Sequence, residues 1–97
     1  MAFPQLTTVG TAEADKICQF VIKDFKPTPG PAGRRERLDE LGVPDSQAVL
    51  VLVDRLVGAT KAHGATLDPA TLNNLAPGTT FGAMEDIVAA APRDKLA

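Results

Sequence analysis

Tryptophan and tyrosine are absent from this chain, phenylalanine occurs only four times, and cysteine and histidine occur once each. Platforms that stack bases need aromatic side chains, so this scarcity argues against single-stranded nucleic acid as a ligand. One cysteine cannot close an internal disulfide, and with one histidine it falls short of a structural zinc set, so no metal is expected. Such cysteine usage suits a reducing cytoplasm. No apolar run approaches the ~20 residues of a membrane-spanning helix. Residues 1–10 lack the basic start and apolar stretch of a secretory leader. The net charge of −2 gives no electrostatic reason to expect nucleic acid or an anionic membrane as partner.

What remains is an aliphatic, ordinarily charged chain of 97 residues, 44% hydrophobic and 23% charged. That length supports one domain with a modest core. The patterning predicts an ordered bundle over 11–91, with flexible ends at 1–10 and 92–97. Thr11 is placed to cap a first helix of about four turns, with Glu13 and Asp15 near the positive end of its dipole. Ala14, Ile17, Cys18, Val21 and Phe25 recur at helical spacing and form its core stripe. Pro27 ends it, and the Pro- and Gly-rich run to Gly33 reads as a loop. Arg34, Arg35 and Arg37 follow, either as a solvated cluster balanced by Glu36, Asp39 and Glu40 or as an anion or partner contact. Leu38, Leu41 and Val43 are expected to anchor this long connection to the core.

A second helix should run from Asp45 or Ser46 to about Gly64. Its stripe is Val49, Leu52, Val53, Leu56 and Thr60, while Leu50, Val51 and Val57 lie outside that stripe. The apolar sector is therefore wide, which calls for burial on several sides or for a partner-binding patch. Asp68-Pro69 opens a short helix through Leu72 and Leu75, closed by Pro77-Gly78. Thr79 or Thr80 then caps a last helix carrying Phe81, Met84, Ile87, Val88 and Ala91, ending at Pro92. No alternating strands compete with these elements, so the predicted class is an all-α bundle with one long connection.

Ser46 is the residue whose setting suggests chemistry. A hydroxyl at the mouth of a helix sees unpaired backbone amides and the positive end of the helix dipole, which suits a phosphate ester. Plain capping by Asp45-Ser46 is the competing explanation. Nucleophilic catalysis would need a base within reach. The sole histidine, His63, lies at the far end of the same predicted helix, roughly 25 Å away at ~1.5 Å per residue. There His63 reads as a surface residue favoured by the dipole. Cys18, on a core stripe, reads as an inert small hydrophobe. No phosphate-binding glycine loop and no carboxylate pair stands out. An enzyme is not expected, and no catalytic residue is assigned.

Arg37-Leu38-Asp39-Glu40-Leu41-Gly42-Val43-Pro44-Asp45-Ser46 resembles the segment that precedes the modified serine of acyl carrier proteins, in which a Leu-Gly pair is followed closely by Asp-Ser at the start of helix two. Leu67-Asp68-Pro69 resembles that family's entry to its short third helix, and Thr79-Thr80-Phe81 with Ile87-Val88 resembles its threonine-capped last helix. The resemblance covers 11–91. It implies a carrier-type four-helix bundle of three longer helices and a short third one, acting as a monomer. It also implies covalent 4′-phosphopantetheine on Ser46, with Asp45 as the adjacent motif residue, and acyl, polyketide or aminoacyl cargo held on the arm as thioesters. The implied pathway is a specialised fatty-acid, polyketide or peptide synthesis. The implied partners are a phosphopantetheinyl transferase and loading, condensing or acyltransferase enzymes, meeting a docking face that includes Gln47, Leu50, Val51, Asp54 and Val57. Because that face carries little acid, its docking should rest less on charge than is usual in the family.

Two other readings stay open. Gln47 stands where the family usually has leucine, and Pro44 adds a residue before Asp45. Both suit a carrier-like fold that works as a non-covalent interaction module through the apolar side of helix two. A small regulatory domain touching nucleic acid through Arg34, Arg35 and Arg37 has net acidity against it.

Overall fold

The computed structural model describes residues 8–93. Three α-helices and two 3-10 turns make up the regular structure: α1 Thr11–Ile22, a turn Leu38–Leu41, α2 Ser46–Ala62, a turn Pro69–Leu72, and α3 Phe81–Ala89. Among the described residues there is no strand, only three isolated bridges that join loops and ends. The described residues are all-α in their regular structure, as the periodicity predicts.

The α1 stripe appears with one addition. Ala14, Ile17, Cys18 and Val21 are buried as expected, Ile22 joins them, and Phe25 is half-buried in the turn that follows. The start and the end of α1 differ from expectation. Gly10, not Thr11, is the N-cap, and no side chain caps this end. The backbone decides it: the Gly10 N–H donates to the Ala89 carbonyl at 3.0 Å, while the Gly10 carbonyl accepts from Ala14 at 3.0 Å. A positive φ of 86° lets glycine make that corner, a region unfavourable for residues with a Cβ. At the other end the helix closes at Ile22, ahead of the break expected at Pro27, because the Ile22 carbonyl accepts from both Phe25 and Lys26 and winds the chain into a turn.

The long connection is more structured than a loop. Leu38, Leu41 and Val43 are all buried, as anchors should be. Between them the chain forms the 3-10 turn Leu38–Leu41, closed by the Glu40 carboxylate accepting from the Arg37 N–H at 2.9 Å. The Leu38 and Asp39 amides donate to the Thr79 and Pro77 carbonyls, which ties the connection to the approach to α3.

α2 starts and stops where capping chemistry predicts. The Asp45 side chain accepts from the Ala48 N–H, and the helix ends at Ala62 with His63 as C-cap and Gly64 beyond it at positive φ. Val49, Leu52, Leu56 and Thr60 are buried, with Val53 half-buried beside them. The short third element is a 3-10 turn and not an α-helix. Asp68 caps it by accepting from Ala70, with Pro69 at its first position. Thr80, the second of the two candidate threonines, caps α3 through its hydroxyl on the Ala83 N–H at 3.2 Å.

α1 packs chiefly on α3 and secondarily on α2, and the Pro69–Leu72 turn covers one flank of α2. Described residues near the two ends of the bundle meet each other. The Val9 N–H donates to the Ala91 carbonyl, and Arg93 reaches the Val9 carbonyl and, at 3.0 Å, the Glu13 carboxylate. Residues 1–7 and 94–97, the remainder of the two expected flexible ends, lie outside the described residues.

Candidate functional site

Ser46 is the first residue of α2 and is exposed. The cap of α2 is made by Asp45 and not by Ser46. The Asp45 carboxylate takes the cap, accepting the Ala48 N–H at 2.9 Å, and the Asp45 carbonyl accepts from Val49 at 3.0 Å. The Ser46 hydroxyl has no hydrogen-bond partner among the described residues. It is therefore a free hydroxyl on a rigid helix start, within the field of the α2 dipole.

The approach to Ser46 is held from behind. Gly42 closes the 3-10 turn with φ 93°, and the Val43 N–H donates to the Leu38 carbonyl at 2.9 Å. Val43 is fully buried. The chain then leaves the core through Pro44, which fixes φ just ahead of the extended Asp45.

Beside the serine lies a cleft of about 370 Å³ between α2 and the segment that follows Pro69. Val49, Leu50 and Val53 form one wall, and Leu72 and Leu75 form the other. Ser46 and Asn73 supply polar groups at its surface. Sequence patterning places these side chains on separate helices, and only the packing of the turn against α2 brings them around one space.

The expected docking residues do not share one environment. Gln47 and Asp54 are exposed, Leu50 is 69% exposed and Val51 48%. Val57 is half-buried and packs against the core, so it contributes less to any open face. Phe20 of α1, 60% exposed, is a further apolar group that faces solvent. It lines a groove with Asp54, Arg55 and Gly58, beside the Arg55–Asp24 ion pair at 2.9 Å.

The remaining candidates take structural roles. Cys18 is buried, and burial, with Glu85 and Asp15 nearby, pushes its thiol well above the ordinary range, so it is unreactive. His63 is exposed at the end of α2, 4.0 Å from the Glu13 carboxylate. It sits at the opposite end of a 17-residue helix from Ser46, which rules out a catalytic pairing. No group of three or more His, Cys, Asp or Glu among the described residues could hold a metal. No helix among them is long and apolar enough to cross a membrane.

Of the three arginines, Arg37 pairs with Asp39, whose carboxyl is held below its usual range by that hydrogen bond. Arg34 does something the local charge pattern does not suggest. It leaves its own segment and pairs with Glu85 at 3.3 Å and Asp86 at 3.0 Å on α3. Glu85 is the notable residue that sequence reasoning missed: a carboxyl only 2% exposed, on the inner face of α3. A signal was present, since Glu85 falls on the same stripe as Phe81, Met84 and Val88.

Compared with known proteins, the chain matches no family model, and no curated protein or solved structure is detectably similar to it.

Proposed function

We propose that this chain is a carrier domain of the acyl-carrier type, loaded at Ser46 and presenting its cargo to the enzymes of a specialised fatty-acid, polyketide or peptide pathway. In this reading α1, the long connection, α2, the Pro69–Leu72 turn and α3 follow the order of elements in that family, with its third helix reduced to one 3-10 turn. The observation that carries it is the combination at the head of α2. An exposed serine is relieved of capping by its neighbour and opens beside an apolar cleft.

The residues fit the group in chemical terms. A hydroxyl at a helix start favours a phosphodiester, because the first-turn amides and the dipole stabilise the added negative charge. When bound, 4′-phosphopantetheine supplies a thiol on which cargo is held as a thioester. The protein's part is to hold Ser46 on a rigid element and to offer Val49, Leu50, Val53, Leu72 and Leu75 as apolar surface beside it. A carrier requires no catalytic residue of its own. Intact-mass measurement of the protein purified from its own host tests the reading, with one arm, free or acylated, expected on Ser46. A chain carrying no addition would count against it.

A second reading has its own observation in Leu50 and Val51, two adjacent apolar side chains exposed by about half or more. In that reading the domain binds a partner non-covalently through α2. Tight binding of the unmodified protein, lost with Leu50→Glu or Val51→Glu and indifferent to Ser46→Ala, distinguishes it from the carrier reading.

A further inference from the structure

Glycine inside an α-helix is unfavourable relative to alanine, so its presence calls for a reason. Gly58 lies within α2, is exposed, and does not have a positive φ. A Cβ at this position would meet nothing within 4 Å. Neither the backbone nor packing within the chain requires glycine there. What the missing side chain leaves is room. A groove of about 350 Å³ runs between α1 and α2, with Phe20 and Val21 on one wall and Asp54, Arg55, Gly58 and Ala59 on the other.

At the edge of that recess stands an apolar projection. The Phe20 ring is more than half exposed, and Val51, exposed by about half, extends the apolar surface one turn along α2. Val51, Asp54, Arg55 and Gly58 recur at the spacing of a single helix face. Projection and recess therefore lie side by side on one surface. Such a surface can complement itself when two copies face each other across a two-fold axis.

The charges of the same face support a second copy as the occupant. Arg55 and Asp24 pair within the chain at 2.9 Å, which leaves Lys23 and Asp54. Lys23, exposed at the end of α1, holds its Nζ 4.5 Å from the centre of the Phe20 ring and has no carboxylate partner among the described residues. Asp54, exposed on α2, has no hydrogen bond or ion pair among them. One unpaired cation and one unpaired anion on a self-facing surface can satisfy each other twice, whereas a strongly acidic or strongly basic partner would satisfy only one of them.

We propose that the Phe20–Gly58 face joins two copies of this chain in an isologous dimer, in which each Phe20 ring enters the other copy's groove at Gly58 and each Lys23 meets the other copy's Asp54. The dimer departs from the monomer that the family resemblance implies. It stands apart from loading at Ser46, because the cleft beside the serine is lined by Val49, Leu50 and Val53, on another side of α2.

Sedimentation velocity of the full chain, run from about 10 µM to about 1 mM as suits a small interface, should show the mass rising from monomer to dimer. Phe20→Glu and Gly58→Leu should each raise the dissociation constant about tenfold or more. Leucine suits a helix better than glycine, so Gly58→Leu should do this without lowering the melting temperature. Lys23→Glu alone should weaken association, and Lys23→Glu combined with Asp54→Lys should restore it. A chain that stays monomeric at the highest concentration overturns the proposal, as does a dimer that Phe20→Glu and Gly58→Leu leave intact. Failure of the double charge reversal to restore association overturns the pairing of Lys23 with Asp54.

Discussion

Gly42 lies against the backbone of Phe25 so closely that a Cβ on residue 42 would stand 2.0 Å from the Phe25 carbonyl oxygen. The contact joins the turn after α1 to the turn that leads into Ser46. Gly42 also has φ 93°, a conformation that L side chains rarely adopt. Both constraints act at one position. Gly42→Ala should therefore cost about 2 kcal/mol or more, read as a lowered midpoint in urea unfolding followed by circular dichroism. A variant as stable as the wild type would mean that this turn yields easily.

Thr60 predicts a change of opposite sign. It is fully buried in α2, and its hydroxyl has no hydrogen-bond partner among the described residues. A buried, unsatisfied hydroxyl costs about 1 kcal/mol or more, and valine keeps the shape without it. Thr60→Val should raise the melting temperature by several degrees for a domain of this size. A drop would show that the hydroxyl has a partner in solution.

Glu85 predicts a direction of pH dependence. Its carboxyl is raised from 4.5 to about 7, so between those values the folded state binds more protons than the unfolded chain. Its stabilising contribution is complete below about 4.5 and is lost as the pH rises through about 7. Asp15 and Asp39 are shifted the other way, below 3.8, so their contributions are constant across that window and fall away only in acid. Thermal melts should therefore show wild-type stability declining from about pH 5 to about pH 8, and Glu85→Gln declining much less. Equal declines in both proteins would remove Glu85 as the cause.

The cap of α2 gives a prediction that separates Asp45 from Ser46. The Asp45 carboxylate accepts from Ala48, and the Ser46 hydroxyl caps nothing. Asp45→Ala should lose about 1 kcal/mol, whereas Ser46→Ala should leave stability nearly unchanged. Comparable losses would give the serine a structural role after all.

Much of this arrangement is legible in the sequence because its causes are local. The α1 and α2 stripes follow from spacing, and the Asp68-Pro69 and Thr80 starts follow from side chains that reach amides two or three residues on. Gly10 displaced Thr11 as a cap because its partner, Ala89, comes from the far end of the chain. Glu85 lay on an apolar stripe in plain view, but Arg34, which donates to it, belongs to the long connection. Ser46 could be found from its neighbours. The cleft beside it could not, because it exists only where Leu72 and Leu75 pack opposite Val49 and Val53.

Ser46 is the proposed attachment site, and covalent loading tests it most directly. The purified chain is incubated with a broad-specificity phosphopantetheinyl transferase and coenzyme A, and its intact mass is measured beside that of Ser46→Ala. Attachment at Ser46 predicts the mass of one arm added to the wild type and none to the variant. An unmodified wild type, or equal labelling of Ser46→Ala, would contradict it.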